Sequence, residues 1–445
     1  MSWSKDMIFG AASAAYQVEG AYNSDGRGLS IWDTLSEGHV KHGDNGNTAC
    51  DEYHRFKEDI ALMKKLNLQA YRFSVSWPRV IPKEGVVNEK GIRYYQNLVD
   101  EVLAQGMIPM VTLYHWDLPM WMHEKGGWYS DEIVDRFASY VEVVVEALSD
   151  RVKYWMTMNE AATFIGAGYL EGVHAPFEMV SRDAKDYEEK VSVLTKHVLL
   201  AHGKAVQIIQ KKAKVHPAIG IAMDGKFFLP DSGEEKAIEH ARQKTYTEDV
   251  DCHRINWWLD PICKGTANPV LQEKITAEEM EVIHQPIDFI GYNCYKANNF
   301  DDDDGRNLSV KPGMPRTAMG WNITPEALYW AVRFLHGRYD LPVLITENGM
   351  ANIDFVMSDG KVHDPQRIEY MKLYLKGLKR AAEEGYPVMG YLYWSILDNF
   401  EWAEGYDKRF GLIYVDYETL ERIPKDSAVW FSDYIRRESG HETEV

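Results

Sequence analysis

The stretch Pro342-Val-Leu-Ile-Thr-Glu-Asn-Gly349 begins with a short apolar run, Pro342–Thr346, and continues with a carboxylate. A similar run, Lys153–Met158, is followed by Asn159 and Glu160. Continuous apolar runs of this length are typical of parallel strands that are buried on both faces. Both runs therefore predict buried strands with a carboxylate at the carboxyl end.

Six further runs of the same kind are spread along the chain. They are Ile8–Ser13, Leu68–Ser74, Ile108–Tyr114, Ala218–Met223, Ile287–Tyr292 and Val388–Ser395. Between the runs, periodic apolar residues and stop signals predict helices over Asp51–Leu66, from Asn88 to Gly106, and over Asp131–Leu148. Two pairs, Thr324-Pro325 and Asp364-Pro365, each predict an N-cap residue followed by a proline at the first helical position. Gly385 predicts the end of the helix that starts at Pro365.

Eight strand candidates, each followed by helical sequence, predict an α/β fold, a closed (β/α)8 TIM barrel with long loops on its catalytic face. An open, doubly wound sheet is the competing topology. A length of 445 residues suggests roughly three average domains, but α/β barrels often exceed that size as one unit. We therefore expect one barrel domain over residues 1–445, in which the acidic run Asp301–Asp304 is a solvated loop.

The charge of the chain argues against several classes of partner. There are 49 Lys and Arg against 68 Asp and Glu, a net charge of −19. A nucleic-acid-binding protein would present a basic face, so we expect no nucleic acid as partner. No apolar run approaches the ~18 residues of a membrane span, so we expect no membrane partner either. The oligomeric state is left open.

Cysteine usage bears on metals and on the compartment. The chain has four cysteines: Cys50, Cys252, Cys263 and Cys294. They form no CxxC pair, and no histidine lies beside them at ligand spacing. We expect neither a zinc site nor a disulfide framework, and no bound metal. Residues 1–20 do not resemble a signal peptide, so the expected location is cytoplasmic.

Glu160 and Glu347 would lie at the same end of a closed barrel, because the carboxyl ends of its strands share one face. Two carboxyl groups that face one site are the basic requirement for cleaving a glycosidic bond. Either glutamate alone could instead be a helix-start residue or a surface charge. Asn159 and Asn348 beside them suit hydrogen bonds to sugar hydroxyls, or they are turn and cap residues.

Further polar and aromatic side chains belong to the same predicted strand ends. Arg72 lies in an apolar strand and should face a carboxylate, and pairing with Glu347 would keep that group ionised; a purely structural ion pair is equally compatible. The other candidates follow the third, sixth and eighth strands and could bind a sugar or belong to the core: His115, Trp116, Asn293, Tyr295, Trp394, Glu401 and Trp402.

From Phe9 to about Phe431, the chain resembles the family 1 glycoside hydrolases, the β-glucosidase family. The motifs that carry the resemblance occur in order as Phe9–Gly20, Tyr71–Arg79, Leu113–Pro119, Thr157–Glu160, Ile345–Gly349 and Trp394–Trp402. The sequence departs from the family pattern at Ala161, where proline is very common, and at Cys294, where an aromatic residue is usual.

The resemblance implies a retaining mechanism without a cofactor, with Glu347 as nucleophile and Glu160 as general acid/base. It implies hydroxyl-binding roles for Gln17, His115, Trp116, Asn159, Glu401 and Trp402. Trp394 would be the stacking floor, and Trp321 an aglycone-side platform. Tyr295 would hydrogen-bond the nucleophile, with Asn293 and Arg72 close by.

The expected substrates are small β-glucosides and disaccharides, cleaved at terminal non-reducing glucosyl residues, with β-galactosidase or β-fucosidase side activity. One branch of the family cleaves 6-phosphorylated sugars and typically carries serine at the position of Glu401, where a carboxylate would repel phosphate. A 6-phospho-β-glycosidase is therefore the alternative within the class. A catalytically silent sugar-binding barrel and a metal-dependent barrel hydrolase are the alternatives from other classes. The natural aglycone and the linkage preference are left open.

Overall fold

Eight parallel strands close into a barrel in chain order, because β1 pairs with both β2 and β8. The computed structural model describes residues 3–4, 6–297 and 313–438, so the acidic run Asp301–Asp304 lies outside it. The strands are β1 Ile8–Ala12, β2 Ala70–Ser74, β3 Ile108–Thr112, β4 Tyr154–Asn159, β5 Ala218–Met223, β6 Phe289–Asn293, β7 Val343–Asn348 and β8 Val388–Trp394. The predicted closed barrel is confirmed, and the competing open sheet is wrong.

Helices follow the strands and surround the barrel. Those of the described residues are α1 Ala15–Val18, α2 Ile31–Thr34, α3 Glu52–Lys65, α4 Trp77–Val80, α5 Glu89–Ala104, α6 Met120–His123, α7 Glu132–Leu148, α8 Ala161–Ile165, α9 Tyr187–Lys212, α10 Glu235–Thr245, α11 Ile255–Lys264, α12 Pro269–Gln272, α13 Ala277–Ile283, α14 Ala327–Tyr339, α15 Pro365–Glu383 and α16 Asp426–Glu438. A short hairpin, β9 Ile413–Val415 and β10 Arg422–Pro424, precedes α16. None of these helices combines the length and apolar composition that crossing a membrane requires.

The predicted N-cap position is confirmed at Asp364-Pro365 and is wrong at Thr324-Pro325, and neither side chain caps a helix. α14 begins at Ala327, and the Thr324 hydroxyl accepts the backbone N–H of Ala297 instead of capping the helix. α15 does begin at Pro365, but the Asp364 carboxylate makes no cap hydrogen bond. It accepts hydrogen bonds from Ser427 in α16. In both cases a contact distant in sequence uses the side chain that local capping would need.

The inside of the barrel is filled by side chains and is therefore not a channel. One tightly packed cluster takes a buried residue from each of seven strands: Ala70, Met110, Met156, Ala222, Phe289, Leu344 and Leu392. Layers of inward-pointing apolar side chains are the usual core of this architecture. A ligand cannot pass through the barrel, and the side chains at the carboxyl ends of the strands face the space above this layer, where the loops after the strands surround the barrel mouth.

A buried charge network ties two of these loops to the outer helices. Lys425 Nζ donates to Asp354 Oδ2 at 2.6 Å and to Asp398 Oδ1 at 2.7 Å, and all three side chains are fully buried. Arg367 of α15 also donates to Asp354, and Arg409 donates to Asp398. Asp354 follows β7 and Asp398 follows β8, so this network fixes both loops against α15 and α16.

Replacing Lys425 by Met would leave Asp354 and Asp398 without the cation they share. We expect the free energy of unfolding to fall by about 3 kcal/mol, because two buried carboxylates each lose one of two cations while their desolvation cost remains. Urea denaturation followed by fluorescence measures the change. Lys372→Met is the matched control, because this exposed lysine pairs only loosely with Glu369 and should cost less than about 1 kcal/mol. Equal losses in the two variants would contradict the expectation.

Gly349 is required by the close approach of two strand ends. A Cβ atom at this position would lie 1.8 Å from the carbonyl oxygen of Trp394, which ends β8. Backbone atoms cannot yield as a flexible side chain can, so any side chain at position 349 must push the β7 and β8 ends apart. Glycine, the last residue of the Thr-Glu-Asn-Gly element, is thus required because no larger residue fits at position 349.

Gly349→Ala should therefore lower the free energy of unfolding by at least about 2 kcal/mol, the range of overpacking in a tight core. Gly337→Ala is the control, because a Cβ atom there meets nothing within 4 Å inside α14. That variant should be neutral or gain up to about 1 kcal/mol from helix propensity. Thermal unfolding of both variants tests the pair, and an unchanged Gly349→Ala protein would refute the close-packing account.

Candidate active site

The two predicted carboxyl groups lie at the carboxyl ends of their strands. Glu347 is the penultimate residue of β7 and is paired in register with Asn293 of β6. Glu160 follows β4 and starts α8 from a left-handed backbone conformation, with φ of 50°. Both side chains are almost completely buried. The strand geometry thus brings both glutamates to the barrel mouth.

Arg72 of β2 is the hub of the site, and the prediction that it faces a carboxylate is confirmed. Its Nη1 donates to Glu347 Oε1 at 2.7 Å and to the Thr346 carbonyl at 3.1 Å. Its Nη2 donates to Asn159 Oδ1 at 2.6 Å, and its Nε donates to Thr112 Oγ1 at 3.0 Å. A guanidinium without solvent exposure requires such complete pairing.

Asn293 and Tyr295 complete the hydrogen bonds of the two glutamates. Tyr295 Oη donates to Glu347 Oε2 at 2.5 Å. Asn293 Nδ2 donates to Glu160 Oε1 at 2.7 Å and to Asn159 Oδ1 at 3.0 Å. One chain of hydrogen bonds therefore runs from Glu347 through the Arg72 guanidinium and two asparagine amides to Glu160.

The two carboxyl groups differ in their electrostatic surroundings. Burial, followed by the charges of Asp224 and Glu347, raises the pKa of Glu160 well above its usual range. Burial also raises the pKa of Glu347, but the Arg72 charge and the Tyr295 hydroxyl oppose that rise. Glu347 therefore ionises first, and Glu160 keeps its proton to higher pH. The contribution of Asp224 was not expected from the sequence, although this residue directly follows the predicted run Ala218–Met223.

Gln17 and His115 bring unused polar atoms to the same region. Asn159 Nδ2 donates to His115 Nε2 at 3.1 Å, which leaves the other ring nitrogen, Nδ1, buried and without a partner among the described residues. Burial, and then the Arg72 charge, lower the pKa of His115 well below its usual value, so the ring is neutral. Gln17 Nε2 donates to the Phe400 carbonyl at 2.7 Å, while its Oε1 is likewise buried and unpartnered. Such atoms suit the hydroxyls of a polar ligand.

Three of the four predicted tryptophans form one aromatic wall. The rings of Trp116 and Trp402 are 4.6 Å apart, and the His115 ring stacks at 5.9 Å on Trp394 and at 6.0 Å on Trp402. The Trp116 indole N–H is already donated to the Asn159 carbonyl at 3.0 Å. This bond fixes the orientation of the ring.

Trp321 and Glu401 lie at the borders of this wall. The Trp321 ring is 5.2 Å from that of Tyr295 and 6.0 Å from that of Phe410, so it lies on the Glu347 side of the site. Glu401 Oε2 is 3.5 Å from Gln17 Nε2. Burial, and then the charges of Glu347 and Glu404, raise the pKa of Glu401 to about 8.

Asn348 has neither of the roles considered for it. It is fully buried, its Nδ2 donates to the Cys294 carbonyl at 2.6 Å, and its Oδ1 accepts from Tyr391 at 2.8 Å. Tyr370 and Tyr374 of α15 both donate to the Tyr295 carbonyl, at 3.1 and 3.0 Å. Together these bonds fix the backbone that carries the Tyr295 phenol. The sequence offers no local signal for the two α15 tyrosines.

The prediction that no histidine lies at ligand spacing from a cysteine is wrong at one place. His253 directly follows Cys252, and with Asp251 these residues form a cluster in which one possible ligand atom of each lies within 4.8 Å of the others. Each group is already engaged or protonated. Asp251 accepts from Lys226 at 2.6 Å, the His253 ring bonds Glu171 at 2.8 Å, and burial raises the pKa of the Cys252 thiol. The donor set therefore does not fit a metal ion well.

Comparison with known proteins places this geometry in one family. The family model of glycosyl hydrolase family 1 matches residues 1–440. Beta-glucosidase A of Thermotoga maritima is 43% identical over 448 residues, which cover 96% of each chain. A bifunctional beta-D-glucosidase/beta-D-fucosidase of Bifidobacterium breve is 38% identical over 466 residues, which cover 98% of each chain. The solved beta-glucosidase from Thermotoga maritima in complex with castanospermine has a TM-score of 0.89 at 40% identity, covering 99% of this chain and 100% of that one. The chain therefore belongs to glycosyl hydrolase family 1.

Proposed function

We propose that this protein is a retaining exo-β-glucosidase that releases terminal non-reducing β-D-glucosyl residues from small β-glucosides and disaccharides. The observation that carries the proposal is the pair of buried carboxyl groups, Glu160 and Glu347, which share one hydrogen-bond chain but differ in the cation beside them. The relatives named above support a β-glucosidase, and the Bifidobacterium breve relative supports β-fucosidase side activity.

In the first half of the proposed reaction, a carboxylate oxygen of Glu347 attacks the anomeric carbon of the glucosyl residue. Arg72 and Tyr295 hold Glu347 ionised for this attack. The bond between the anomeric carbon and the leaving oxygen breaks, and Glu160 gives that oxygen its proton. The products are a covalent glucosyl ester of Glu347 and the free aglycone.

The second half reverses the role of Glu160. The ester carries no charge, so Glu160 loses one repulsive neighbour and becomes a stronger acid, hence ionised. It takes a proton from water, whose oxygen attacks the anomeric carbon and releases Glu347. Two inversions at one carbon give net retention, and carboxyl groups roughly 5 Å apart suit this course.

The glucosyl residue is proposed to bind against the aromatic wall. The unpartnered atoms of Gln17 and His115, together with the Glu401 carboxyl, would bind its hydroxyls, and Trp394 would be the stacking floor. Trp321 would contact the aglycone. The cytoplasmic location expected from the sequence is part of the proposal and is supported by the four unpaired cysteines.

Glu347→Gly should lower kcat/KM on a nitrophenyl β-glucoside by at least about 1,000-fold, because no nucleophile remains. External azide should restore cleavage and yield an α-glucosyl azide, since azide fits the vacated space. Glu347→Gln is the matched control, because the amide fills that space and azide should not rescue it. Normal turnover by Glu347→Gly would overturn the proposed role of this residue.

The alternative, a 6-phospho-β-glycosidase, has less support than a β-glucosidase. The reason is not mainly the repulsion between the Glu401 carboxylate and phosphate that the sequence predicted. Because the pKa of Glu401 is about 8, this carboxyl is mostly protonated at pH 7 and repels phosphate less than a charged group would. Two lysines are already ion-paired with Glu404, three residues after Glu401: Lys41 at 2.5 Å and Lys408 at 3.6 Å. Lys408 also donates to the Ala318 carbonyl at 2.8 Å. A phosphate dianion would therefore be desolvated without a free counter-ion.

We expect kcat/KM on a nitrophenyl β-glucoside to exceed that on its 6-phosphate by at least about 100-fold, the cost of about 2.7 kcal/mol of uncompensated desolvation. Parallel rate measurements at pH 7 give the ratio. Glu401→Ser introduces the residue that is typical of the phosphate-cleaving branch. It should lower kcat/KM on the glucoside by removing a glucose contact, and so reduce the ratio. A wild-type ratio of one or less would favour the alternative.

A further inference from the structure

A third carboxyl group, Asp224, lies beside the proposed acid/base. It directly follows β5, the neighbour of β4 in the barrel. The backbone N–H of Glu160 donates to the Ala222 carbonyl at 2.8 Å, which fixes the end of β4 against the end of β5. Thr163, in the first turn of the helix that Glu160 starts, donates its hydroxyl to Asp224 Oδ2 at 2.6 Å. Asp224 and Glu160 therefore leave adjacent strands at the same level.

The surroundings of Asp224 leave its charge uncompensated. Its second oxygen, Oδ1, is buried and has no hydrogen-bond partner among the described residues. The cationic group that acts on it most is His253, whose ring is already bonded to Glu171 at 2.8 Å. Asp59, a buried carboxylate elsewhere in this chain, has the Arg422 guanidinium on both of its oxygens. Asp224 has no such partner, and its field therefore reaches neighbouring groups.

We propose that Asp224 is a positioning residue for catalysis, whose negative charge keeps the proton on Glu160 until the leaving oxygen takes it. The inference rests on the proposed function, in which Glu160 is the acid/base. It assigns a role to a residue beyond the two glutamates and the hydroxyl-binding set.

The charges around Glu160 support this role. From β7 Glu347 raises the pKa of Glu160, and from β2 Arg72 lowers it, as does the Asn293 amide of β6. Asp224 raises the pKa of Glu160 more than Glu347 does, although burial is the largest cause. Burial raises the pKa of Asp224 itself, but the Thr163 hydroxyl favours its ionised form.

Asp224 differs from Glu347 in what happens to its charge during turnover. Glu347 loses its charge when it forms the glucosyl ester, so its effect on Glu160 ends with the first half-reaction. Asp224 forms no covalent bond, so the negative charge proposed for it is not consumed in either half-reaction. It therefore also keeps Glu160 a stronger base in the second half-reaction, when water must be deprotonated.

Asp224→Asn tests the proposal, because asparagine can still accept the Thr163 hydrogen bond and only the charge is removed. The pH dependence of kcat/KM on an unactivated aryl β-glucoside should keep its acidic limb. Its alkaline limb, which reports deprotonation of Glu160, should move to lower pH by about one unit, since a like charge that raised this pKa is gone. Asp224→Glu retains the charge and should restore the limb towards that of the wild type.

Asp231→Asn is the control for a simple change of net charge, because Asp231 is an exposed carboxylate further along the same loop. It should leave both limbs in place. If Asp224→Asn does not fold, as judged by circular dichroism, Asp224→Ser is the second neutral variant and should show the same shift. An alkaline limb that stays in place in a folded neutral variant, or that moves equally in Asp231→Asn, would overturn the inference.

A Glu160→Gln variant separates this inference from the proposed function. With a dinitrophenyl glucoside, which needs no acid to leave, its alkaline limb should disappear. If the limb persists in Glu160→Gln, the acid/base assignment fails, and the inference fails with it. If the limb disappears in Glu160→Gln but is unmoved in Asp224→Asn, only the role of Asp224 fails.

Discussion

Arg72 places a positive charge without solvent exposure inside the barrel, and the rest of the site is arranged to satisfy it. Its donors reach β3, β4 and β7, so one guanidinium fixes side chains from three other strands. The carboxylate of Glu347 is its counter-ion, and neither charge could be buried alone without a large cost. The ion pair therefore constrains the core and, in the proposed mechanism, also prepares the nucleophile.

Glu160 and Glu347 differ in how readily they ionise, and this difference follows from the ion pair between Arg72 and Glu347. Both lie in the same buried environment, and burial raises both pKa values. Only Glu347 has a cation and a phenol on its oxygens, whereas Glu160 receives one amide N–H. In the proposed mechanism the site thus obtains an acid and a nucleophile from the same residue type, because proximity to Arg72 differs between the two glutamates.

Much of the architecture could be predicted from the sequence because buried parallel strands have a strong local signal. All eight predicted strands begin and end within two residues of those found. The family, the barrel and the β-glucosidase relationship are confirmed by the comparisons. What failed depends on contacts distant in the chain. Asp364 bonds Arg367 of its own helix and Ser427 of α16 but caps no backbone N–H of α15, and Asn348 holds the backbone before Tyr295.

Two residues that were not predicted to matter, Asp224 and His253, could have been found from the sequence. Asp224 follows a predicted strand just as Glu160 does, so the same rule could have found it, and His253 is the immediate neighbour of Cys252. The supporting tyrosines of α15 had none, because a helical tyrosine that packs on the barrel has the same local pattern whether or not its hydroxyl reaches the site. The roles of the individual site residues stay predictions until the variants are measured.

The aromatic wall has a spectroscopic consequence. Trp116, Trp394 and Trp402 cluster around the proposed sugar position, with the Trp116 and Trp402 rings 4.6 Å apart. Indoles this close share their excitation, so a sugar that binds against them as proposed would change the surroundings of the paired Trp116 and Trp402 rings. Intrinsic tryptophan fluorescence would then report whether the site is occupied, and a titration with glucose would need no label.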